Sequence, residues 1–314
     1  MAKPKVAIFG AGHVGATTAQ RIAERELADV VLLDIVEGLP QGKALDIMES
    51  APVEGFDAAV TGSNANEDVG GADLVVITAG VPRKPGMSRD DLLATNARIV
   101  GDIAAAIAEH APQAVVLVVT NPLDVMTHLA HQRTGLPVER VLGMAGVLDS
   151  ARFRAFIAME LGVSVRGVEA MVLGGHGDSM VPLPRYATVG GVPLGALLPE
   201  ERIEALVERT RKGGAEIVGL LKTGSAYYAP SAAVAAMAAS ILRDERRTLP
   251  ACVRLEGHYG IDGVFAGVPV VLGAGGVEQI VELELDEAER TALQASARHV
   301  RQTIERLASL EGDA

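Results

Sequence analysis

An α/β architecture, with a doubly wound parallel sheet in the first half and a mixed α+β second half, is predicted by three features of this 314-residue sequence. The first half alternates short apolar runs with amphipathic stretches, the pattern of parallel strands joined by crossover helices. Its first apolar run, Lys5-Val6-Ala7-Ile8-Phe9, leads straight into Gly10-Ala11-Gly12-His13-Val14-Gly15. Its second, Val30-Val31-Leu32-Leu33, ends on an acid, Asp34.

Strands are expected at residues 5–9, 30–33, 58–60, 74–77, 114–119 and 141–142, and helices over 14–26, 41–49, 92–110 and 123–134. Six strands in that order form a Rossmann-type sheet whose ligand lies across the carboxyl ends of the strands. The second half changes character. Helices are expected over 150–161, 199–221, 231–242 and 286–310, and strands around 168–173, 189–192, 251–255, 268–272 and 278–283. No low-complexity linker separates the halves, and the boundary is placed at residue 145, giving domains 1–145 and 146–314.

Apolar residues make up 49% of the chain, enough for a globular core, but aromatic residues are only 3%, so Ala, Val, Leu and Ile must build it. Acids outnumber bases 40 to 28, for a net charge of -12, which argues against nucleic-acid and membrane-surface partners. Any site for an anionic substrate must therefore be locally cationic. The single cysteine, Cys252, excludes an intramolecular disulfide or a CxxC site and is read as a small buried apolar residue in a reducing cytoplasm. Met1-Ala2-Lys3-Pro4 runs directly into the first strand, leaving no room for a signal peptide. No apolar stretch reaches the ~18 residues of a membrane span. A cytoplasmic location is expected.

The glycine loop reads as a phosphate cradle. Gly10 permits the tight turn, Gly12 lets the backbone approach a pyrophosphate, and Gly15 allows close helix–strand packing, while the helix amides meet the phosphates. Asp34, roughly 20 residues further on, suits an adenosine ribose and would repel a 2′-phosphate, which favours NAD over NADP. A second glycine cluster, Gly273-Ala274-Gly275-Gly276, has Glu278 at its third glycine position and reads as a turn between strands.

His176 stands in Leu173-Gly174-Gly175-His176-Gly177-Asp178, just after an apolar run. Flanking glycines expose an imidazole that titrates near neutrality, which suits repeated proton transfer; a turn histidine capped by Asp178 is the plainer alternative. Asp149 and Arg152 share a helix face at a spacing of three. They are either a capping acid with a local salt bridge, or an acid that orients the imidazole beside an arginine that grips a carboxylate. The loop 79–89, with Arg83, Lys84 and Arg89 among turn residues, reads as a cationic lid or as a solvated loop. Asn121, before Pro122, ends another apolar run, where its amide could reach cofactor and substrate or merely form a turn. His128 and His131, three apart on a helix, are read as a solvated face, and no metal is expected.

Together GAGHVG, LLDI, TAGVPRKPGMSRDDLL, VTNPLDVMT, MAGVLDSARFR and GGHGDSMVPL, in this order, resemble the lactate/malate dehydrogenase family over essentially the whole chain. Within it the chain is similar to the lactate-dehydrogenase-like subgroup of malate dehydrogenases. That resemblance implies an NAD-dependent oxidoreductase interconverting (S)-malate and oxaloacetate, a tricarboxylic acid cycle step. His176 would be the proton acceptor and donor, Asp149 its partner, Arg152 the binder of the C1 carboxylate, and Arg89 the lid residue that polarises the C2 oxygen. Asn121 would help hold substrate. Gly10, Ala11, Gly12, His13, Val14, Gly15, Asp34, Asn96, Val119, Thr120 and Asn121 would contact NAD. Arg83 stands where the lactate enzymes typically carry Gln, and a second cation matches a second carboxylate; Ala226 replaces a Thr common in lactate enzymes. A lactate or broad 2-hydroxy acid dehydrogenase is the alternative. A homodimer or homotetramer is expected, with alanine-rich helices packed across the contacts.

Overall fold

The computed structural model describes residues 3–82 and 86–312. In the first half β1 (Lys5–Phe9), α1 (His13–Glu24), β2 (Asp29–Leu33), α2 (Leu39–Glu54), β3 (Val60–Ser63), β4 (Leu74–Ile77), α3 (Arg89–His110), β5 (Val115–Val118), α4 (Leu123–Thr134) and β6 (Val141–Gly143) alternate as expected. The six strands are parallel neighbours in the order β3-β2-β1-β4-β5-β6. Helices cover both faces of such a sheet, so its central strands need apolar side chains on both sides. Every residue of β4 and β5 is buried, and Val6, Ala7 and Ile8 of β1 have no exposed surface. The chain reverses direction across the sheet between β1 and β4, which opens a crevice at their carboxyl ends.

The second half holds α5 (Gly146–Leu161), β7 (Val168–Glu169), β8 (Val172–Leu173), β9 (Val181–Pro182), β10 (Thr188–Val189), β11 (Val192–Pro193), α6 (Glu200–Leu221), α7 (Tyr228–Leu242), β12 (Arg247–Glu256), β13 (Asp262–Gly273), β14 (Gly276–Ile280) and α8 (Glu287–Gly312). Its three long strands do not form a sheet of their own. They extend the first one antiparallel beyond β6, giving a nine-stranded sheet in the order β14-β13-β12-β6-β5-β4-β1-β2-β3. The junction pairs Cys252 with Gly143, where a Cβ would lie 2.6 Å from Thr127 Oγ1 and 3.0 Å from Cys252 Cβ. Glycine is what lets the two halves approach there.

Several boundaries differ from the sequence expectation for identifiable reasons. Strands β12 and β13 extend well past the apolar runs at 251–255 and 268–272; Pro250 and Pro269 face each other, and the Pro269 carbonyl is turned to the Val281 amide on the other side, so the ring nitrogens interrupt no bond between the two strands. The run 168–173 splits into β7 and β8, which pair with different partners, β10 and β9. The run 189–192 is a hairpin turning on Gly190 and Gly191, both at positive φ, which a two-residue turn of this hand requires. Gly273 to Gly276 is the turn between β13 and β14. Helix α5 starts at Gly146, so Asp149 lies inside its first turn and does not cap it.

Candidate active site

The glycine loop and Asp34 meet directly. Asp34 Oδ2 accepts the Ala11 amide at 2.8 Å, and Oδ1 accepts the Val36 amide at 3.0 Å. Gly10 takes φ +103°, and a Cβ there would lie 2.7 Å from the Ala79 nitrogen; at Gly15 a Cβ would overlap the Gly10 carbonyl oxygen. Gly12 differs, because a Cβ on it would meet no atom of the described residues within 4 Å beyond its own chain neighbours. Packing within the chain sets no demand for glycine at 12, and a bare backbone there suits a pyrophosphate arriving from outside. Among the described residues no side chain caps α1, so its first amides are available to such an anion. Each Asp34 oxygen retains lone-pair capacity for a ribose hydroxyl. The exposed His13 ring stacks on Tyr227 at 4.9 Å, which joins the loop to the second half.

From the loop a chain of hydrogen bonds runs across the strand ends. Thr78 Oγ1 donates to the carbonyls of Phe9 and Gly10, both at 3.0 Å, and Thr120 Oγ1 donates to Ala79 O at 2.7 Å. The amide of Val119 donates to Ile77 O at 2.9 Å. Asn96, buried on α3, accepts the Val81 amide at 2.8 Å and donates to Val81 O at 3.2 Å and Asn121 O at 2.7 Å. Both Nδ2 hydrogens are thereby committed. Asn96 ties the start of the cationic loop to the Asn121 turn, and Asn121 itself is exposed.

His176 closes the chain from the second half. Its amide donates to Asp124 Oδ2 at 2.9 Å, two residues past Pro122, and its Nδ1 lies 2.8 Å from Asp149 Oδ2. Asp149 is 2% exposed, and its Oδ1 accepts Arg152 Nη1 at 3.2 Å. Burial opposes a charge on the imidazole, but the Asp149 carboxylate, through its charge and hydrogen bond, overrides that. With a smaller contribution from Asp124, it holds the His176 pKa above the ordinary histidine value. An Nδ1–H donated to Asp149 leaves Nε2 to carry the proton that comes and goes.

Arg152 lies against α6. A Cβ on Gly213 would fall 3.0 Å from Arg152 Cδ, and one on Gly214 would fall 3.7 Å from Nη2. Arg152 Nε is buried without a partner among the described residues. Arg89 is exposed at the first position of α3, behind a capping box in which Ser88 and Asp91 bond each other's backbone, so it is carried by a helix end. Its neighbour Asp90 pairs with Arg306 of α8 at 2.6 Å. Arg83 and Lys84 lie outside the described residues.

Sequence reasoning missed Asp124, Ser296 and Gly213. Asp124 stands inside the VTNPLDVMT segment and the Gly213-Gly214 pair is unusual inside a helical stretch, so both left a trace; Ser296 left none. The histidine pair on α4 needs correction. His128 and His131 are half-buried, with rings 6.0 and 5.7 Å from that of Phe265, and do not form a solvated face. Burial pushes both pKa values down. The alanine-rich α7 is likewise internal, packed on α1.

A doubly wound sheet carrying a glycine loop bonded to a strand-end acid, continued by a half that presents a carboxylate-oriented histidine beside a half-buried arginine, defines a dinucleotide-dependent dehydrogenase. The chain belongs to the lactate/malate dehydrogenase family: residues 4–143 match its NAD binding domain and residues 146–311 its alpha/beta C-terminal domain. It is 59% identical to the malate dehydrogenase of Chloroherpeton thalassium over 98% of this chain and 99% of that one. The malate dehydrogenase structure from Salinibacter ruber superposes with TM-score 0.95 at 51% identity, covering 98% of this chain and 99% of that one. The lactate dehydrogenase structure from Cryptosporidium parvum complexed with lactic acid and NAD also reaches 0.95, at 43% identity and 98% of each chain. The shared backbone therefore does not separate the two activities.

Proposed function

We propose that this chain catalyses the reversible, NAD-dependent oxidation of (S)-malate to oxaloacetate. The observation that carries the choice of substrate is the identity of the relatives: malate dehydrogenases at 54–59% over at least 96% of the chain. Arg83 in place of the glutamine typical of lactate enzymes supports it. Pyruvate would leave that arginine without a counter-charge in a closing site, at a cost of several kcal/mol.

Residues 1–145 bind cofactor and residues 146–314 bind substrate. Ala11, Gly12, His13, Val14 and Gly15 hold the pyrophosphate, Asp34 the adenosine ribose, and Val119, Thr120 and Asn121 the nicotinamide side, with Asn96 acting through its grip on Val81 and Asn121. Bound NAD supplies the hydride acceptor for malate C2. His176 takes the hydroxyl proton on Nε2 while Asp149 stabilises the imidazolium that forms; the reverse direction starts from imidazolium. Arg152, with its buried unpartnered Nε, pairs with the C1 carboxylate. Arg89 supports the developing charge on the C2 oxygen and Arg83 takes the C4 carboxylate.

The chain works as a homo-oligomer in the cytoplasm. Leu45 and Val53 on α2, and Val218, Leu220 and Leu221 on α6, are 45–86% exposed, a large apolar surface for a lone chain. These helices replace the buried alanine-rich α7 as the subunit contacts, and Leu220→Glu should reduce the particle mass seen by light scattering. Steady-state reduction of oxaloacetate and pyruvate, with NADH and NADPH, tests the whole reading. Faster turnover of pyruvate would remove the role of Arg83, and unchanged turnover in His176→Asn would remove the imidazole from the chemistry.

A further inference from the structure

The backbone leading into His176 is fastened at three successive residues. Gly174 exchanges two hydrogen bonds with Gly267 of β13, at 2.8 and 3.0 Å. The Gly175 amide donates to Ser296 Oγ of α8 at 2.7 Å, and the His176 amide donates to Asp124 Oδ2 of α4 at 2.9 Å. The last two acceptors are 2% and 5% exposed and stand 121 and 52 residues away in sequence.

Gly175 shows that the two acceptors act at one point. Gly174 and Gly177 need glycine for conformation, at φ +81° and +112°, but Gly175 does not have positive φ. A Cβ on it would lie 2.9 Å from Ser179 Oγ and 3.3 Å from both Asp124 Oδ2 and Ser296 Oγ. The residue is bare because these side chains converge on it. Asp124 is also a poor choice for stability. Burial pushes its carboxyl pKa up against the hydrogen bonds of the Cys252 thiol and the His176 amide, and Oδ1 meets no nitrogen or oxygen partner among the described residues. Such a group persists where the site needs it and packing does not.

We propose that Asp124 and Ser296 form a two-point backbone clamp, positioning residues that hold the His176 imidazole in line with Asp149. The clamp rests on His176 being the proton-transfer group of the proposed reaction. Misplacing a catalytic group by a fraction of an ångström slows chemistry while leaving binding of cofactor and substrate intact. Removing either acceptor should therefore lower kcat and spare KM.

The test compares Asp124→Ala, Asp124→Asn, Ser296→Ala and Ser296→Thr with the parent enzyme and His176→Asn in oxaloacetate reduction, with NADH affinity read by fluorescence. We expect kcat to fall about tenfold in Asp124→Ala and about threefold in Ser296→Ala, the scale of one buried amide left unpaired. KM for oxaloacetate and NADH affinity should stay within about twofold, since both side chains are buried and bond backbone amides. Asp124→Asn and Ser296→Thr each return an acceptor and should recover most of the loss, and the serine pair carries the test if Asp124→Ala does not fold. The clamp is overturned if the alanine variants keep kcat within twofold, if the conservative variants recover nothing, or if NADH affinity falls in parallel. If His176→Asn abolishes turnover while the alanine variants do not slow it, the clamp alone is wrong; if His176→Asn changes nothing, the acid–base reading falls with it.

Discussion

The two oxygens of Asp149 serve two different side chains: Oδ2 meets His176 Nδ1 at 2.8 Å and Oδ1 meets Arg152 Nη1 at 3.2 Å. One buried carboxylate thus sets both the proton affinity of the imidazole and the bearing of the arginine.

Asp149→Asn keeps the shape and removes the charge. Without that charge, burial and Arg152 dominate, and the imidazole pKa falls. In the proposed mechanism oxaloacetate reduction needs imidazolium, so its high-pH limb should move to lower pH and malate oxidation should begin at lower pH. A loss of about 10²–10⁴ in kcat is expected for a disabled general acid–base group. The raised His176 pKa also adds folding stability that is fully present below the unfolded value of 6.5 and is lost as pH rises through the folded value. Thermal melts from pH 5 to 9 should show that dependence in the parent and much less of it in the variant.

Gly213 should behave as a substrate-site residue although it lies on α6, away from every motif. Gly213→Ala places a methyl 3.0 Å from Arg152 Cδ, and Gly213→Leu forces the arginine aside. KM for oxaloacetate should rise about threefold and more than about thirtyfold respectively, with NADH affinity unchanged, as expected when carboxylate binding is lost. The alanine variant should melt no lower than the parent, because alanine improves an interior helix position by about 1 kcal/mol. Equal KM in both variants would show that Arg152 does not depend on that gap.

Arg83→Gln should trade one substrate for another. Loss of a paired cation is expected to lower kcat/KM for oxaloacetate by about 10²–10³ and to raise the ratio of pyruvate to oxaloacetate turnover. A ratio that does not move would place C4 recognition elsewhere.

Asp34→Ala removes the acceptor for Ala11 and Val36 as well as the proposed ribose partner. NADH affinity should fall about tenfold or more, and the NADPH-to-NADH preference should rise because the repulsion is gone. An unchanged preference, measured by competing the two cofactors, would mean that another residue excludes the 2′-phosphate.

The inner strands of the first half were legible because they are buried on both faces and read as unbroken apolar runs, so β1 and β4 end where the runs end, whereas the edge strand β3, half-exposed and with the sequence VTGS, lies at 60–63 and not at 58–60. The candidate site residues stood out where they lie in dense local motifs, as His176 does between glycines and Asp34 does at a strand end. Local pattern carries information over a few residues, and it specified those elements and side chains. It could not reveal that β12 joins β6 through Gly143, that Ser296 reaches Gly175 across 121 residues, or that Gly213 clears room for Arg152. These depend on atoms brought together by packing from distant parts of the chain, where a missing Cβ or a single hydroxyl decides what fits. Residue types and their order carry the choice of chemistry; the positions at which those groups can act on one another come from the close-packed contacts among β5, α4, α5, α6 and α8.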